Sequence, residues 1–456
     1  MNDAIDFADG KFRIECHDML LTRAGGPPLE VRGSGEIWQD EKARLQFKIF
    51  ADSAAFNACR GHIYHLREPG RLIPDSDYFN LEAEELSGGI WRAERIFPST
   101  RGGGMNGVVH GDVPQLQKTT TIPGFSRTGE TIKVRFRGKI QFPCNNGTET
   151  VTHVGGAQVR STSSLDAGII EDGPARFVTR IESDHTSVDV RFSEAGLHEK
   201  TAYRIHESLQ FVLGKELTIM AVETKRGIEE TIQLVSPWPS GGQGSVLPPL
   251  QYNHSNADAV WVMFRDYFRY VHADSSHTWH PISDHIGRVI ESGATSLDTE
   301  ILALGVGTEG LAGQCFLHLV PIHADFLTDL LKIENSLADL EVDEGSRGRV
   351  AGAIGAMRSP RNSDAIYAFV EQHHLPCVLF TSWKKIRNNS AHGNTIPGTQ
   401  LSKLMQRRSY VYCLLYSMAL SAIGYHGPHT RYDIFRWPAQ DWPPPGPPPS
   451  TTSAEA

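Results

Sequence analysis

Long hydrophobic runs are missing from this chain. Nowhere in its 456 residues do about 18 apolar side chains stand together, so no membrane-spanning helix is expected. The opening stretch, Met1-Asn2-Asp3-Ala4-Ile5-Asp6, has neither the basic cluster nor the apolar core of a secretory leader. Cysteine is scarce as well. The six (Cys16, Cys59, Cys144, Cys315, Cys377 and Cys413) form no CxxC pair and no zinc spacing. Cys315, Cys377 and Cys413 lie in apolar helical text and read as small core residues. Positive charge is also short: 44 Lys and Arg against 53 Asp and Glu give a net −9, which excludes a generally cationic nucleic-acid coat. Any RNA contact must then come from local basic patches. The expectation is a soluble cytoplasmic protein with no cofactor and no metal. At 456 residues, 39% hydrophobic and 21% charged, it should form two or three domains.

Residues 12 to about 192 read as β. Gly35 to Trp38, a polar turn at Gln39-Asp40-Glu41-Lys42, then Leu45, Phe47 and Ile49 in alternation predict a hairpin. Phe177 to Ile181 and Val188 to Phe192 predict another. The clearest strand alternates Ile132, Val134, Phe136, Ile140 and Phe142 with Lys133, Arg135, Arg137 and Lys139. Four cations on one face leave two readings open, an edge strand guarded by charge or a stripe facing nucleic-acid phosphates. Gly102 to Gly107 is glycine-rich but fits neither a P-loop nor a dinucleotide fingerprint, and reads as a turn. Asn146-Gly147-Thr148 matches a glycosylation acceptor, which means little without a secretion signal. Glu199 to Leu213 reads as a helix with Ala202, Ile205, Leu209 and Val212 inward. Glu223-Thr224-Lys225, at the end of the next strand, resembles half of a PD-(D/E)xK nuclease. The element before it is a helix, where that motif needs a strand carrying Asp.

Pro237 to Leu250, rich in Pro, Gly and Ser, is the best boundary in the chain. The expected division is a β-rich sensor or regulatory domain over 1–236, a linker over 237–250, a helical connector over 251–295, a helical domain over 296–437, and a Pro-rich disordered tail over 438–456. The fold class is α+β and multidomain. In the connector, Phe264, Tyr267, Phe268 and Val271 share one helix face and read as core. His272, His277, His280 and His285 gather near Asp274 and Asp284, but no two of these histidines stand four apart as a helical zinc site requires. They read as a surface loop before a helix.

The helical text is organised around Arg387-Asn388-Asn389-Ser390-Ala391-His392, which closes a helix beginning near Pro376. Its apolar stripe is Leu379, Trp383, Ile386 and Ser390, with Lys385, Asn388, Asn389 and His392 opposite. Arg387 and His392 point about 140° apart on a regular helix. Two groups that act on one bond cannot meet that way. Either the helix ends between them, with Gly393 as its stop, or a second copy completes the site. Glu309 lies within an apolar helix, where a carboxylate needs a partner or solvent. Pairing with Arg387 is one of those two outcomes. Thr399 is a good N-cap for a last helix running to Ile423, which presents Lys403, Arg407 and Arg408.

An Arg-Asn-x-x-x-His string ending a helix resembles the Rx4-6H motif of the HEPN superfamily. Thr308-Glu309-Gly310-Leu311 in an earlier helix and Ile423-Gly424-Tyr425-His426-Gly427 after the last one also look like ApeA-like anti-phage members. The resemblance covers roughly residues 296 to 437, and the front half only in general character. It implies a HEPN-like helical bundle and a metal-independent endoribonuclease acting as a homodimer, with no cofactor.

That activity would use the substrate's own 2′-OH. His392 would act as base or acid, Arg387 would stabilise charge on the phosphorane, and Asn388 would hold the imidazole or a phosphate oxygen. Glu309 would orient Arg387. Lys384, Lys385, Arg407 and Arg408 are the phosphate-positioning candidates. The implied partners are RNA (tRNA among the candidates), a second copy and a phage-derived trigger, with no membrane. The alternative is a non-catalytic HEPN-like module that binds nucleotide, RNA or a partner.

Overall fold

The computed structural model describes residues 3–66, 70, 72–102, 106–122, 129–154, 157–237, 243–253, 255–337, 339–391 and 400–444. They form two compact units. One comprises Met1–His206 and Leu217–Gly241, the other Glu207–Glu216 and Gly242–Ala456. The first is β-rich and the second helical, which is the α+β class expected. No helix among the described residues is long and apolar enough to cross a membrane.

The first unit holds β1 (Arg13–Arg23), β2 (Glu30–Gln39), β3 (Leu45–Asp52), β4 (Phe79–Glu85), β5 (Ile90–Ile96), β6 (Ser99–Arg101), β7 (Asn106–Val113), β8 (Gln115–Thr121) and β9 (Glu130–Arg137). It continues with β10 (Asn146–Val154), β11 (Ala157–Asp172), β12 (Ala175–Ile181), β13 (His185–Phe192), β14 (Ile219–Arg226) and β15 (Glu229–Val235). Its helices are α1 (Asp3–Ala8) and α2 (Ser53–Leu66), and α3 (Thr201–Leu213) begins in it. The strands make one sheet in the order β10-β11-β12-β13-β9-β14-β15-β8-β5-β4-β1-β2-β3-β7-β6. Inward residues of strands as far apart in that order as β3 and β14 share one core with α1 and α2, including Phe47, Trp91, Met220 and Phe56. The sheet therefore bends around that core. The β2–β3 hairpin forms with Ile37 opposite Phe47, as the alternation predicts. Glycine is required in it: a Cβ at Gly35 would sit 2.0 Å from the Lys48 carbonyl oxygen.

The cationic strand departs from its edge reading. β9 lies inside the sheet, between β13 and β14, and is no edge. Two of the four cations are met by acids, which makes them poor phosphate contacts. Lys133 stands 2.7 Å from Glu182 and 3.8 Å from Asp189, while buried Arg135 is ion-paired with Glu223. An arginine 2% exposed needs such a partner to remain charged. That pair also occupies the Glu of Glu223-Thr224-Lys225, and Lys225 is bound to Glu230 at 2.6 Å. Residues 103–105 of the glycine-rich turn lie outside the described residues.

The helical unit contains α4 (Ala257–His272), α5 (Pro281–Ser292), α6 (Leu297–Cys315), α7 (Ala324–Leu337), α8 (Glu344–Met357), α9 (Asn362–Gln372), α10 (Cys377–Ala391) and α11 (Leu401–Ala422). A small hairpin, β16 (Gly427–Thr430) with β17 (Ala439–Trp442), follows. Phe264, Tyr267, Phe268 and Val271 of α4 are buried, as core residues should be. The segment expected as a linker is packed from residue 243 onward. Val246 and Leu250 are buried, and the carbonyls of Leu247 and Pro248 accept hydrogen bonds from Tyr416 and Tyr432. Proline cannot donate but keeps its carbonyl, so this Pro-rich text is tied down by buried phenols. α4 and α5, expected as a connector, belong to the same unit as α6.

The Pro-rich tail is also structured at its start. β17 pairs with β16, and Trp442 is buried against Phe369 and His373. Residues 445–456 lie outside the described residues. Cys413 is buried, Cys315 partly so, but Cys377 is exposed at the start of α10, contrary to its core reading.

Candidate functional site

α10 is amphipathic as its sequence requires. Leu379, Trp383 and Ile386 are buried, worth about 2–3 kcal/mol each, while Lys384, Lys385 and Asn388 are exposed. The Trp383 indole donates to the Gly305 carbonyl of α6 at 3.0 Å, fixing the two helices against each other. The described part of α10 runs to Ala391, so the helix does not stop just after Arg387. His392, Gly393 and Thr399 lie outside the described residues, as do the side chains of Asn389 and Ser390.

α6 is capped by Ser296, whose hydroxyl accepts the Thr299 backbone N–H at 3.3 Å. One face turns into the core through Ile301, Leu304, Leu311 and Ala312. Another places Glu309 beside α10, where Arg387 Nε donates to its carboxylate at 2.9 Å. Of the two outcomes open for Glu309, the fold takes the pair. Both side chains keep contact with solvent, 37% for Arg387 and 27% for Glu309, so the pair remains reachable by a ligand.

Arg387 and Glu309 line a cleft of about 550 Å³ with His285 and Arg288 of α5, Leu302 and Val306 of α6, and Asn362 of α9. Glycine lets α5 approach so closely. A Cβ at Gly310 would fall 2.4 Å from His285 Cε1, so the imidazole lies directly against the residue after Glu309. Burial lowers the His285 pKa, and nearby Arg288 adds to that against the opposing pull of Asp284. The ring is therefore neutral at neutral pH, able to donate from one nitrogen and accept at the other.

The chain matches no known family model, no curated protein and no solved structure. The site therefore stands on its own geometry.

The other positively charged candidates are distributed unevenly. Lys384 and Lys385 project into solvent from α10, and Arg407 is half-buried on α11. Arg408 is committed elsewhere. It is 2.6 Å from Glu300 of α6, and its guanidinium lies 5.1 Å from the centre of the Tyr412 ring. An arginine so enclosed anchors α11 to α6 and is a poor phosphate contact. Among the histidines expected in a surface loop, His277 is bound to Asp274 at 2.6 Å, His280 caps α5, and only His285 reaches the cleft. No three potential ligands come together for a metal among the described residues. Sequence reasoning placed His285 in a surface loop and did not single out Arg288. Their spacing on an amphipathic helix carried no sign that the face would meet Arg387.

Proposed function

We propose that this chain is a metal-independent endoribonuclease of the HEPN type. Its helical unit would act as a homodimer, and the protein would serve as an anti-phage effector whose β-rich unit senses the trigger. The observation that carries the proposal is the Arg387–Glu309 pair at the rim of the cleft. A carboxylate on Nε holds a guanidinium in one orientation and leaves its terminal N–H donors for a phosphoryl group.

In the reaction, a base removes the proton of the ribose 2′-OH and the oxygen attacks the adjacent phosphorus. The P–O5′ bond breaks, a proton goes to the departing 5′-oxygen, and the products are a 2′,3′-cyclic phosphate and a 5′-hydroxyl. His392 is assigned the proton transfer, Arg387 the charge that accumulates on the phosphorane, and Asn388 a hydrogen bond to the imidazole or phosphate. Lys384, Lys385 and Arg407 would position neighbouring phosphates.

Purified protein incubated with total RNA in EDTA tests this directly. Cleavage leaving cyclic phosphate ends, and lost in Arg387→Ala, is the expected result. Activity that requires Mg²⁺ and disappears in Glu223→Ala would move the chemistry to the β-rich unit. RNA binding without cleavage would support the non-catalytic module instead.

A further inference from the structure

Arg387 and Glu309 account for only part of the cleft. Along α6 its lining is apolar, with Leu302, Ala303 and Val306 at helical spacing. Leu302 and Val306 are 41% and 48% exposed, large side chains left facing solvent one turn apart. Arg288 adds a second guanidinium, held by Asp284 at 2.7 Å and itself 67% exposed. Among the described lining residues Glu309 is the one opposing charge, and the two arginines outnumber it. The volume of about 550 Å³ lies within the range of small-ligand sites and exceeds what a lone anion requires. An apolar strip, a neutral imidazole and two cations in one cavity match a molecule with a flat apolar part and an anionic end.

We propose that this cleft is a subsite for one nucleotide unit of single-stranded RNA, its base lying on Leu302 and Val306 and its phosphate held by Arg288 and Arg387. The proposal rests on the ribonuclease reading and adds the element that admits an unpaired nucleotide. A base stacked within a duplex cannot lie on a protein surface, whereas an unpaired one can. His285 is placed to hydrogen-bond the base edge or the ribose, since its ring borders both Gly310 and the cavity.

Calorimetric titration of the full chain with adenosine 5′-monophosphate and, separately, with inorganic phosphate tests the subsite without any turnover. The nucleotide should bind at least about tenfold more tightly than phosphate. Leu302→Asp should remove that advantage and leave phosphate binding as it was, while Arg288→Gln should weaken both. Circular dichroism should show Leu302→Asp folded, because its side chain is already exposed. On single-stranded RNA the same variant should raise KM about tenfold or more with kcat retained. Equal affinity for nucleotide and phosphate, or unchanged nucleotide binding in Leu302→Asp, would overturn the subsite. So would a Leu302→Asp protein that loses mass in solution but keeps its nucleotide affinity, which would assign the strip to a second copy. Nucleotide binding through Leu302 in a protein that cleaves no RNA would keep the subsite and reject the ribonuclease. Cleavage with KM unchanged in Leu302→Asp would do the reverse.

Discussion

Arg408 of α11 and Glu300 of α6 form a 2.6 Å ion pair whose side chains are only 14% and 10% exposed. The Tyr412 hydroxyl donates to the same carboxylate. Burial and the adjacent negative charge push the tyrosine pKa well above its ordinary value, so the hydroxyl remains a donor. Removing either charge leaves the other enclosed without its partner. Arg408→Ala should cost about 3–5 kcal/mol, seen as a large drop in Tm. Glu300→Ala should cost a similar amount, and the double variant less than the sum. An Arg408→Ala protein with unaltered Tm and weakened RNA affinity would return this residue to phosphate binding.

The pair at the cleft should behave differently. Arg387 is more than a third exposed, so its bond to Glu309 contributes at most about 1 kcal/mol to stability. Arg387→Ala and His392→Ala should each abolish RNA cleavage and leave Tm nearly unchanged. Dimers mixing wild-type chains with His392→Ala chains should lose far more than half their activity if two histidines serve one cut. Activity proportional to the number of intact chains would mean that each protomer works alone.

On β9 the paired arginine makes a structural prediction in place of a nucleic-acid one. Arg135→Met strands the Glu223 carboxylate, 12% exposed, and should cost about 3–5 kcal/mol. Adding Glu223→Leu should recover most of that loss. Reversing Lys133 should leave the salt dependence of RNA binding as it was, because Lys133 is already neutralised by Glu182 and Asp189. A shallower salt slope in that variant would show that the face does meet RNA.

Acid should loosen the protein at two buried histidines. His206 donates to the Leu217 carbonyl at 2.7 Å, and His429 hydrogen-bonds the Gln440 carbonyl at 2.9 Å. Burial lowers each pKa from 6.5 to about 4. Between those values the unfolded chain takes up protons that the folded chain refuses. Their contribution is thus fully present above pH 6.5 and is lost as the pH falls toward 4, at most about 3 kcal/mol for each. His206→Gln should flatten the fall in Tm over that window. An equally steep fall in the variant would assign the acid sensitivity to other groups.

Much of this protein follows from local pattern. The β2–β3 hairpin, the buried stripe of α10 and the helices from α4 to α11 obey periodicities of two and 3.6 residues. The Glu309–Arg387 pair was legible as one of two outcomes, because a carboxylate in an apolar helix must find either a cation or water. The tertiary structure decided which.

It also decided what pattern cannot express. Alternation gives a strand two faces but says nothing of its neighbours, so only the sheet order placed β9 inside and set Glu182, Asp189 and Glu223 against its cations. Composition marked residues 243–250 as a linker, yet distant tyrosines bind their carbonyls. The cleft gathers residues from α5, α6, α9 and α10, separated by as much as a hundred positions, and no local signal links His285 or Leu302 to Arg387. Short-range spacing fixes which face of a helix is apolar. Which other helix that face meets depends on the packing of the whole unit, and there the chemistry of the site was set.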